Sequence, residues 1–448
     1  MKKVELDKVK INNLMKEKGI STQTDLAQIM NITKNQLSVL ISSKYCPIKS
    51  NAIKLCEALN TDITSIIKLK DTDVQIKFDI LDKQEERKNS LLVSGSLLDT
   101  NSVKSNRIYS VVELFAGAGG LALGLEKAGF EEVGLVELDK YACATLRHNR
   151  PKWNVIENDI VKVAEDGIRK YIGENVEVDV LSGGYPCQAF SYAGHKMGLE
   201  DVRGTMFYYY AKILSQLMPK VFLAENVKGL VSHDNGKTLK TMIEVFSSIG
   251  YNVTWKVHNA VNYGVAQKRE RIIIIGTRKD LSGDVEFYFP KEFEYKLTLK
   301  DALKNVPVSE GSNYPDKKRK VLEMVPPGGC WVDLPENIAK EYMGASYYSG
   351  GGKRGMARRI SWDEPCLTLT CSPAQKQTER CHPDETRPFT TREYARIQSF
   401  PDEWEFIGSV SQIYKQIGNA VPVELAKVIG LSIIDYLNRI EEHLNDRK

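Results

Sequence analysis

The segment Gly183-Gly184-Tyr185-Pro186-Cys187-Gln188 sets a cysteine directly behind a proline, just after the apolar run Val178-Asp179-Val180-Leu181. That run is short, rich in β-branched residues and bounded by Gly and Pro, which predicts a buried strand. A thiol at the C-terminal end of a strand stands where α/β folds carry their chemistry. A cysteine taken alone is most often a small buried hydrophobe, so its surroundings must decide its role. Three glycines, Gly117, Gly119 and Gly120, lie between another apolar run and a helical pattern. Without Cβ atoms, such a turn lets a ligand approach the backbone closely. Glu137 ends the next apolar run about 20 residues on, the placement of a ribose-hydroxyl acceptor in dinucleotide-type folds. Asp159 follows in the third unit, placed to accept from an adenine amino group. Scattered surface charge does not readily give this ordered series.

These residues need a sheet to hold them. Strands are expected over 111–115, 133–136, 178–181, 221–224, 253–257 and 271–276. Helices are expected over 121–128, stopped by Gly129, and over 141–148. Alternating strands and helices imply an open α/β sheet.

The chain of 448 residues is long enough for two or three domains. No run of roughly 18 apolar residues is evident, so no membrane span is expected. The first residues lack the apolar core of a signal peptide, and the protein is read as cytoplasmic. Eight cysteines form no CxxC pair and six histidines are scattered, so no metal is expected. The net charge of +4 is too small to indicate nucleic acid by itself. Its distribution says more. Residues 1–70 carry twelve lysines, no arginine and six acids, a net of +6, which leaves the other 378 residues at −2.

Residues 1–70 read as short helices. Leu26, Ile29 and Met30 recur at helical spacing. A tight turn follows, with Thr33 as N-cap. A second helix runs from Lys34 to about Ser43, burying Leu37, Leu40 and Ile41, and two more cover 51–59 and 63–68. The segment resembles the phage-repressor type of helix-turn-helix. The resemblance implies a second helix in the major groove, leading with Lys34, Asn35, Gln36 and Ser38. A helical bundle used for packing or dimerisation is the alternative. Residues 71–108 are polar and low in aromatics, a linker.

From Tyr109 onward a second resemblance is specific. Glu113-Leu114-Phe115-Ala116-Gly117-Ala118-Gly119-Gly120, Val136-Glu137-Leu138-Asp139, Tyr185-Pro186-Cys187-Gln188-Ala189-Phe190-Ser191 and Arg203-Gly204-Thr205-Met206-Phe207 come first. Glu225-Asn226-Val227, Gln267-Lys268-Arg269-Glu270-Arg271, Arg392 to Pro401 and Gln416-Ile417-Gly418-Asn419-Ala420-Val421-Pro422 follow in order. This series is similar to the DNA (cytosine-5) methyltransferases of bacterial type II restriction-modification systems, over residues 109–432. The implied fold is a Rossmann-like S-adenosylmethionine-dependent methyltransferase sheet with a smaller target-recognition domain, preceded here by the all-α helix-turn-helix. The expected segments are 1–70 (helix-turn-helix), 71–108 (linker), 109–280 (catalytic domain), 281–400 (target-recognition or small domain) and 401–448 (return to the catalytic domain).

The resemblance explains the residue types. C5 of cytosine is a poor nucleophile, and a thiolate adding to C6 turns C5 into an enamine-like carbon. Cys187 is the thiolate, because sulfur is both nucleophilic and a good leaving group. Glu225 is suited to donate at N3. Arg271 is expected on the base O2 and Arg269 on the backbone phosphate. The resemblance carries S-adenosylmethionine contacts onto Phe115, Gly117, Gly119, Gly120, Glu137, Leu138, Asp159, Ile160, Pro186, Asn419 and Val421. The family usually has Asp where Glu113 stands, another residue at Leu138 and Gly at Asn158. The target base is out of reach inside a duplex and must be flipped out. Gln188 and Ser191 are expected to touch DNA, with 191–198 as a closing lid. Residues 281–357 depart from the motif pattern; Lys353 and Arg354 in their glycine-rich stretch are expected to approach DNA, with Arg354 a candidate to read guanine edges.

Double-stranded DNA is the expected partner, and the protein's own promoter is a second candidate for the N-terminal module. The catalytic part is expected to be monomeric, with dimerisation of the N-terminal module left open. A repressor whose main activity is the helix-turn-helix, and a tRNA cytosine-5 methyltransferase, remain as alternatives.

Overall fold

The computed structural model describes residues 8–30, 32–41, 97–186, 202–282, 285–348 and 355–446, with a few single positions between 55 and 66. The chain divides into two compact units, Met1–Ser94 and Gly95–Lys448.

The smaller unit is helical, with helices Lys8–Glu17, Gln23–Ile29 and Lys34–Leu40. Two N-terminal capping boxes set its turns. Thr22 and Asp25 exchange side-chain-to-backbone hydrogen bonds, as do Thr33 and Gln36. Leu26, Met30, Leu37 and Ile41 are buried with Ile11 and Leu55. Ile29 departs from the sequence reading. It is 57% exposed, because its position rotates off the face that Leu26 and Met30 bury. The helices expected over 51–59 and 63–68 fall largely outside the described residues.

The larger unit is built on a seven-stranded sheet. Its strands are β1 (Tyr109–Leu114), β2 (Phe130–Glu137), β3 (Val155–Glu157), β4 (Val180–Gly183), β5 (Val221–Val227), β6 (Tyr251–Asn259) and, after the two-residue β7 (Gln267–Lys268), β8 (Glu270–Arg278). The order is β3-β2-β1-β4-β5-β8-β6. The pairs β1–β2, β1–β4, β2–β3 and β4–β5 are parallel, while β8 runs antiparallel to β5 and β6. Side chains alternate across each strand. Val112, Leu114, Phe222, Ala224, Ile272 and Ile274 enter one apolar layer, with helices Met206–Leu217 and Lys237–Ile249. Tyr109, Val111, Val221, Leu223, Ile273 and Ile275 enter the other, with Leu121 and Leu125 of helix Gly120–Ala128 and the long helix Val423–Asp446. Both faces are therefore apolar and covered, as a parallel sheet requires.

Those last two helices approach closely. A Cβ on Gly124 would lie 2.3 Å from the Ala426 methyl. The region over 410–446 is apolar enough in one window to cross a membrane by composition, but 72% of that window is buried inside the protein. Its apolarity is used by the second layer, and Glu424, Lys427, Asp435 and Arg439 interrupt it.

Residues 97–108 lie within the segment read as a linker, yet part of them pairs with the body. Leu98 exchanges backbone hydrogen bonds with Phe289 and Lys291. Within 281–400, Tyr314, Leu322, Val325, Leu334, Ala339, Ala357 and Cys381 form a small separate core. Leu299, Leu303, Ile360, Leu369 and Phe389 pack instead with Leu135 and Leu146 of the main unit. Two buried charges organise the small core. Arg359 donates to the carbonyls of Val325, Leu322, His382 and Pro383. Glu379 accepts from Tyr342 and the Ala357 N–H and pairs with Lys318.

Candidate active site

Strand order reverses between β1 and β4, and such a switch point opens a crevice at the carboxyl ends of the strands. The turn after β1 enters that crevice with Phe115 strained at φ 58°, while Gly117 adopts φ 54° without strain. The three glycines differ in role. A Cβ at Gly119 would meet Leu146 and Trp404 at 2.8 and 2.9 Å, and one at Gly120 would lie 2.3 Å from the Val421 carbonyl oxygen. Gly117 has nothing within 4 Å. Gly119 and Gly120 therefore permit close packing, while Gly117 faces open space.

Glu137 closes β2 beside this turn. One carboxylate oxygen accepts the Gly117 N–H at 2.7 Å, and the other accepts those of Leu138 and Asp139 at 2.8 and 2.7 Å. Leu138 is 64% exposed. The neighbouring strand end is tied in, since the Asn158 N–H donates to the Glu137 carbonyl. Asp159 is exposed and caps the next helix through the Val161 N–H at 2.8 Å, with Ile160 buried behind it. Asn419 ends helix Val410–Asn419 on the exposed surface, and Val421 is buried against Gly120. The structure thus brings the glycine turn, Glu137 and Val421 together, with Asp159 beside them.

The exit of β4 is anchored before Cys187. Tyr185 is buried against Phe207 and Tyr210, and its carbonyl accepts from Asn226 Nδ2 at 3.0 Å. Pro186 is exposed. Cys187, Gln188 and Ser191 follow outside the described residues, as do Lys353 and Arg354.

Opposite, Glu225 on β5 pairs with Arg271 on β8, Oε1 to Nε 2.7 Å, each side chain 12% exposed. A Cβ on Gly184 would come within 2.8 Å of Glu225 Oε2, so a larger residue there would have to displace that carboxylate. Gly184 and Asn226 were visible in the sequence as members of motifs, but their supporting geometry was not.

Arg269 departs from the expectation that it holds a phosphate. It is 2% exposed, and its guanidinium donates to the carbonyls of Leu369 at 3.2 Å and Gly418 at 3.0 Å. Burial, and then the neighbouring Arg271, push it down to about 9, still protonated at neutral pH. A group so enclosed joins two chain segments and is turned away from solvent. The companion Gln267 does similar work, accepting the Leu369 N–H and donating to Gln398. In the N-terminal unit, Lys34, Gln36 and Ser38 are exposed on their helix, and the Gln36 oxygen is already engaged by the Thr33 N–H. The side chain of Asn35 lies outside the described residues.

Comparison with known proteins gives the family. Residues 109–435 match the C-5 cytosine-specific DNA methylases, and residues 10–72 match the Cro/C1-type helix-turn-helix DNA-binding domain. The type II methyltransferase M.Sau96I of Staphylococcus aureus is 58% identical over 436 residues, covering 97% of this chain and 99% of that protein. M.Eco47II of Escherichia coli is 54% identical over 372 residues, 80% of this chain and 88% of that protein. Among solved structures, a prophage-encoded E. coli protein described as a DNA modification methyltransferase superposes with a TM-score of 0.55 at 26% identity, over 74% of this chain and 99% of its own. The chain therefore belongs to the C-5 cytosine-specific DNA methylases, S-adenosylmethionine-dependent enzymes of type II restriction-modification systems, and carries an N-terminal helix-turn-helix domain.

Proposed function

We propose that the protein methylates C5 of a cytosine within a short specific sequence of double-stranded DNA, through a covalent Cys187–C6 adduct on a flipped-out base. The observation that carries this reading is the Glu225–Arg271 pair facing the Gly184–Pro186 segment that leads into Cys187. The pair presents one acid and one fixed donor where a single base edge can meet both.

S-adenosylmethionine, when bound, supplies an electrophilic methyl group on a sulfonium. Its fit rests on the open space at Gly117, the Glu137 carboxylate beside it, and the exposed apolar side chain of Leu138. Phe115, Gly119, Gly120, Asp159, Ile160, Pro186, Asn419 and Val421 complete the proposed surround. The Cys187 thiolate adds to C6 and drives electron density onto C5. Glu225 donates to N3 as the ring gains charge, and Arg271 orients both Glu225 and the base O2. After methylation the C5 proton leaves to a base, the C5–C6 double bond re-forms, Cys187 is expelled and N3 returns its proton to Glu225. Arg269 serves this site through its clamp on Leu369 and Gly418.

Gln188, Ser191, Lys353 and Arg354 are proposed DNA contacts, with the small core around Arg359 and Glu379 as the frame of target recognition. Methylation at the target would protect cytoplasmic host DNA from a cognate endonuclease. The N-terminal unit is proposed to bind the protein's own promoter through Lys34, Asn35, Gln36 and Ser38. Its excess of lysines and its helix-turn-helix match support this. Removal of residues 1–70 is expected to leave methylation intact and abolish promoter binding; loss of methylation would contradict the division of labour. The catalytic reading is tested by bisulfite sequencing of plasmid from cells expressing the wild type or Cys187→Ala. Protection at one short motif, lost in the variant, is the expected result.

A further inference from the structure

Cys371 lies at the edge of the crevice and belongs to no motif of the sequence reading. It follows the two-residue strand β9 (Cys366–Leu367), which pairs in parallel with β7. Its thiol donates to Asn419 Oδ1 at 2.9 Å, and both residues are exposed. Three features fix the spacing beneath them. Arg269 grips the Leu369 carbonyl two residues before Cys371 and the Gly418 carbonyl one residue before Asn419. A Cβ on Gly418 would lie 2.6 Å from the Cys371 nitrogen, so the two segments meet backbone to backbone. Gln267 holds the Leu369 N–H at 3.0 Å.

We propose that Cys371 is a positioning residue for the methyl donor, its thiol fixing the Asn419 amide above the Arg269 clamp so that Asn419 presents only N–H donors to the ligand. The proposal rests on the reading of Asn419 as a cofactor residue and deepens it. A thiol is a weak donor and a weaker acceptor, so a protonated Cys371 selects the oxygen end of the amide. Although the residue is exposed, protein packed around its sulfur desolvates the thiol and holds it above its ordinary value against the opposing effect of Arg269, so it stays protonated at neutral pH. The amide nitrogen then faces away from the sulfur, toward acceptor atoms of the ligand. Those are the carboxylate, the ribose oxygens and the ring nitrogens of S-adenosylmethionine.

The test is equilibrium binding of S-adenosylhomocysteine to the full-length protein by calorimetry, with ligand-free melting temperatures read in parallel. Cys371→Ala is expected to weaken binding about threefold to tenfold, the worth of one modest hydrogen bond. Cys371→Ser, which keeps a donor, is expected to restore it to within about twofold. Asn419→Ala is expected to weaken binding as well, and adding Cys371→Ala to it should cost nothing further, since the thiol acts only through the amide. Should Cys371→Ala lower the melting temperature, the serine variant decides: recovered binding supports the proposal, and unrecovered binding overturns it. Wild-type affinity in Cys371→Ala beside a weakened Asn419→Ala would overturn the positioning role alone. Wild-type affinity in Asn419→Ala would overturn the cofactor reading of Asn419, and the proposal with it.

Discussion

The two ends of the central sheet are built from the same residue types and used in opposite ways. Where β1, β4 and β5 begin, Asp179 receives Arg107 at 2.9 and 2.6 Å, Lys220 at 2.7 Å and the Ser110 N–H at 3.0 Å. Glu441 of the long C-terminal helix pairs with the same Arg107 and Lys220 at 3.0 and 3.4 Å, and the Tyr109 hydroxyl reaches Asn438 and Glu441. Each charge there meets an opposite charge, and the helix closes the end. Where β2, β4 and β5 finish, glycine turns replace the helix. Glu137 is held by backbone N–H groups, Glu225 by one arginine, and Gly117 faces open space. Charge that is fully paired holds the sheet together; charge held on one side and left open on the other is available for chemistry.

The largest test of that contrast is Glu225→Gln, which keeps the shape and removes the acid. Its kcat is expected to fall about 10²- to 10⁴-fold, with a modest drop in melting temperature from the unpaired Arg271, whereas Glu441→Gln at the closed end should leave kcat alone. Steady-state methylation rates and thermal melts of the two variants would break the contrast if the effects were exchanged.

Next in size is Asp179→Asn. Leaving Arg107 and Lys220 without their buried partner should cost roughly 3 kcal/mol of stability, read from denaturant midpoints. Although burial alone would raise it, the hydrogen bonds from Arg107 and Lys220 hold the Asp179 carboxyl below its ordinary value. Its contribution is therefore present above the ordinary aspartate range and lost as pH falls through the lowered value. The Asn variant should lack this acid-side fall.

The smallest effect concerns two buried acids on adjacent strands, Glu113 of β1 and Glu132 of β2. Glu113 and Glu132 are fully buried, and neither Glu132 oxygen has a partner among the described residues. Burial raises both; Glu137 adds to the rise of Glu113, and Glu113 and Glu126 to that of Glu132. The folded protein keeps these protons while the unfolded chain releases them above the ordinary glutamate range, so stability declines as pH rises from there. Glu132→Leu should stabilise by about 1–2 kcal/mol at neutral pH and by less in acid, in pH-resolved melts.

Local pattern made much of this legible. The strands around Val111, Val133, Val180, Val221, Val253 and Ile272, the helix stopped by Gly129 and the cap at Thr33 follow from runs of a few residues. β3 was not legible, because three residues carry no period. What the sequence could not show were partners far along the chain. Arg269 reads as an exposed arginine in a motif, and only the carbonyls of Leu369 and Gly418, 100 and 149 residues away, make it a buried clamp. The distinct tasks of Gly117, Gly119 and Gly120 likewise depend on Trp404 and Val421. Gln36 looked free to read a base until its oxygen was found capping Thr33.

The most direct test of the central claim is covalent trapping. Once methylation mapping gives the target, the full-length protein is incubated with S-adenosylmethionine and a duplex carrying 5-fluorocytosine at the modified position. Fluorine at C5 cannot leave as a proton, so expulsion of the thiolate is blocked. A denaturation-resistant protein–DNA adduct that maps by mass spectrometry to the peptide containing Cys187, and is absent in Cys187→Ser, is the predicted result. Methylation of the ordinary duplex with no adduct on the fluorinated one, or an adduct that survives Cys187→Ser, would contradict the account.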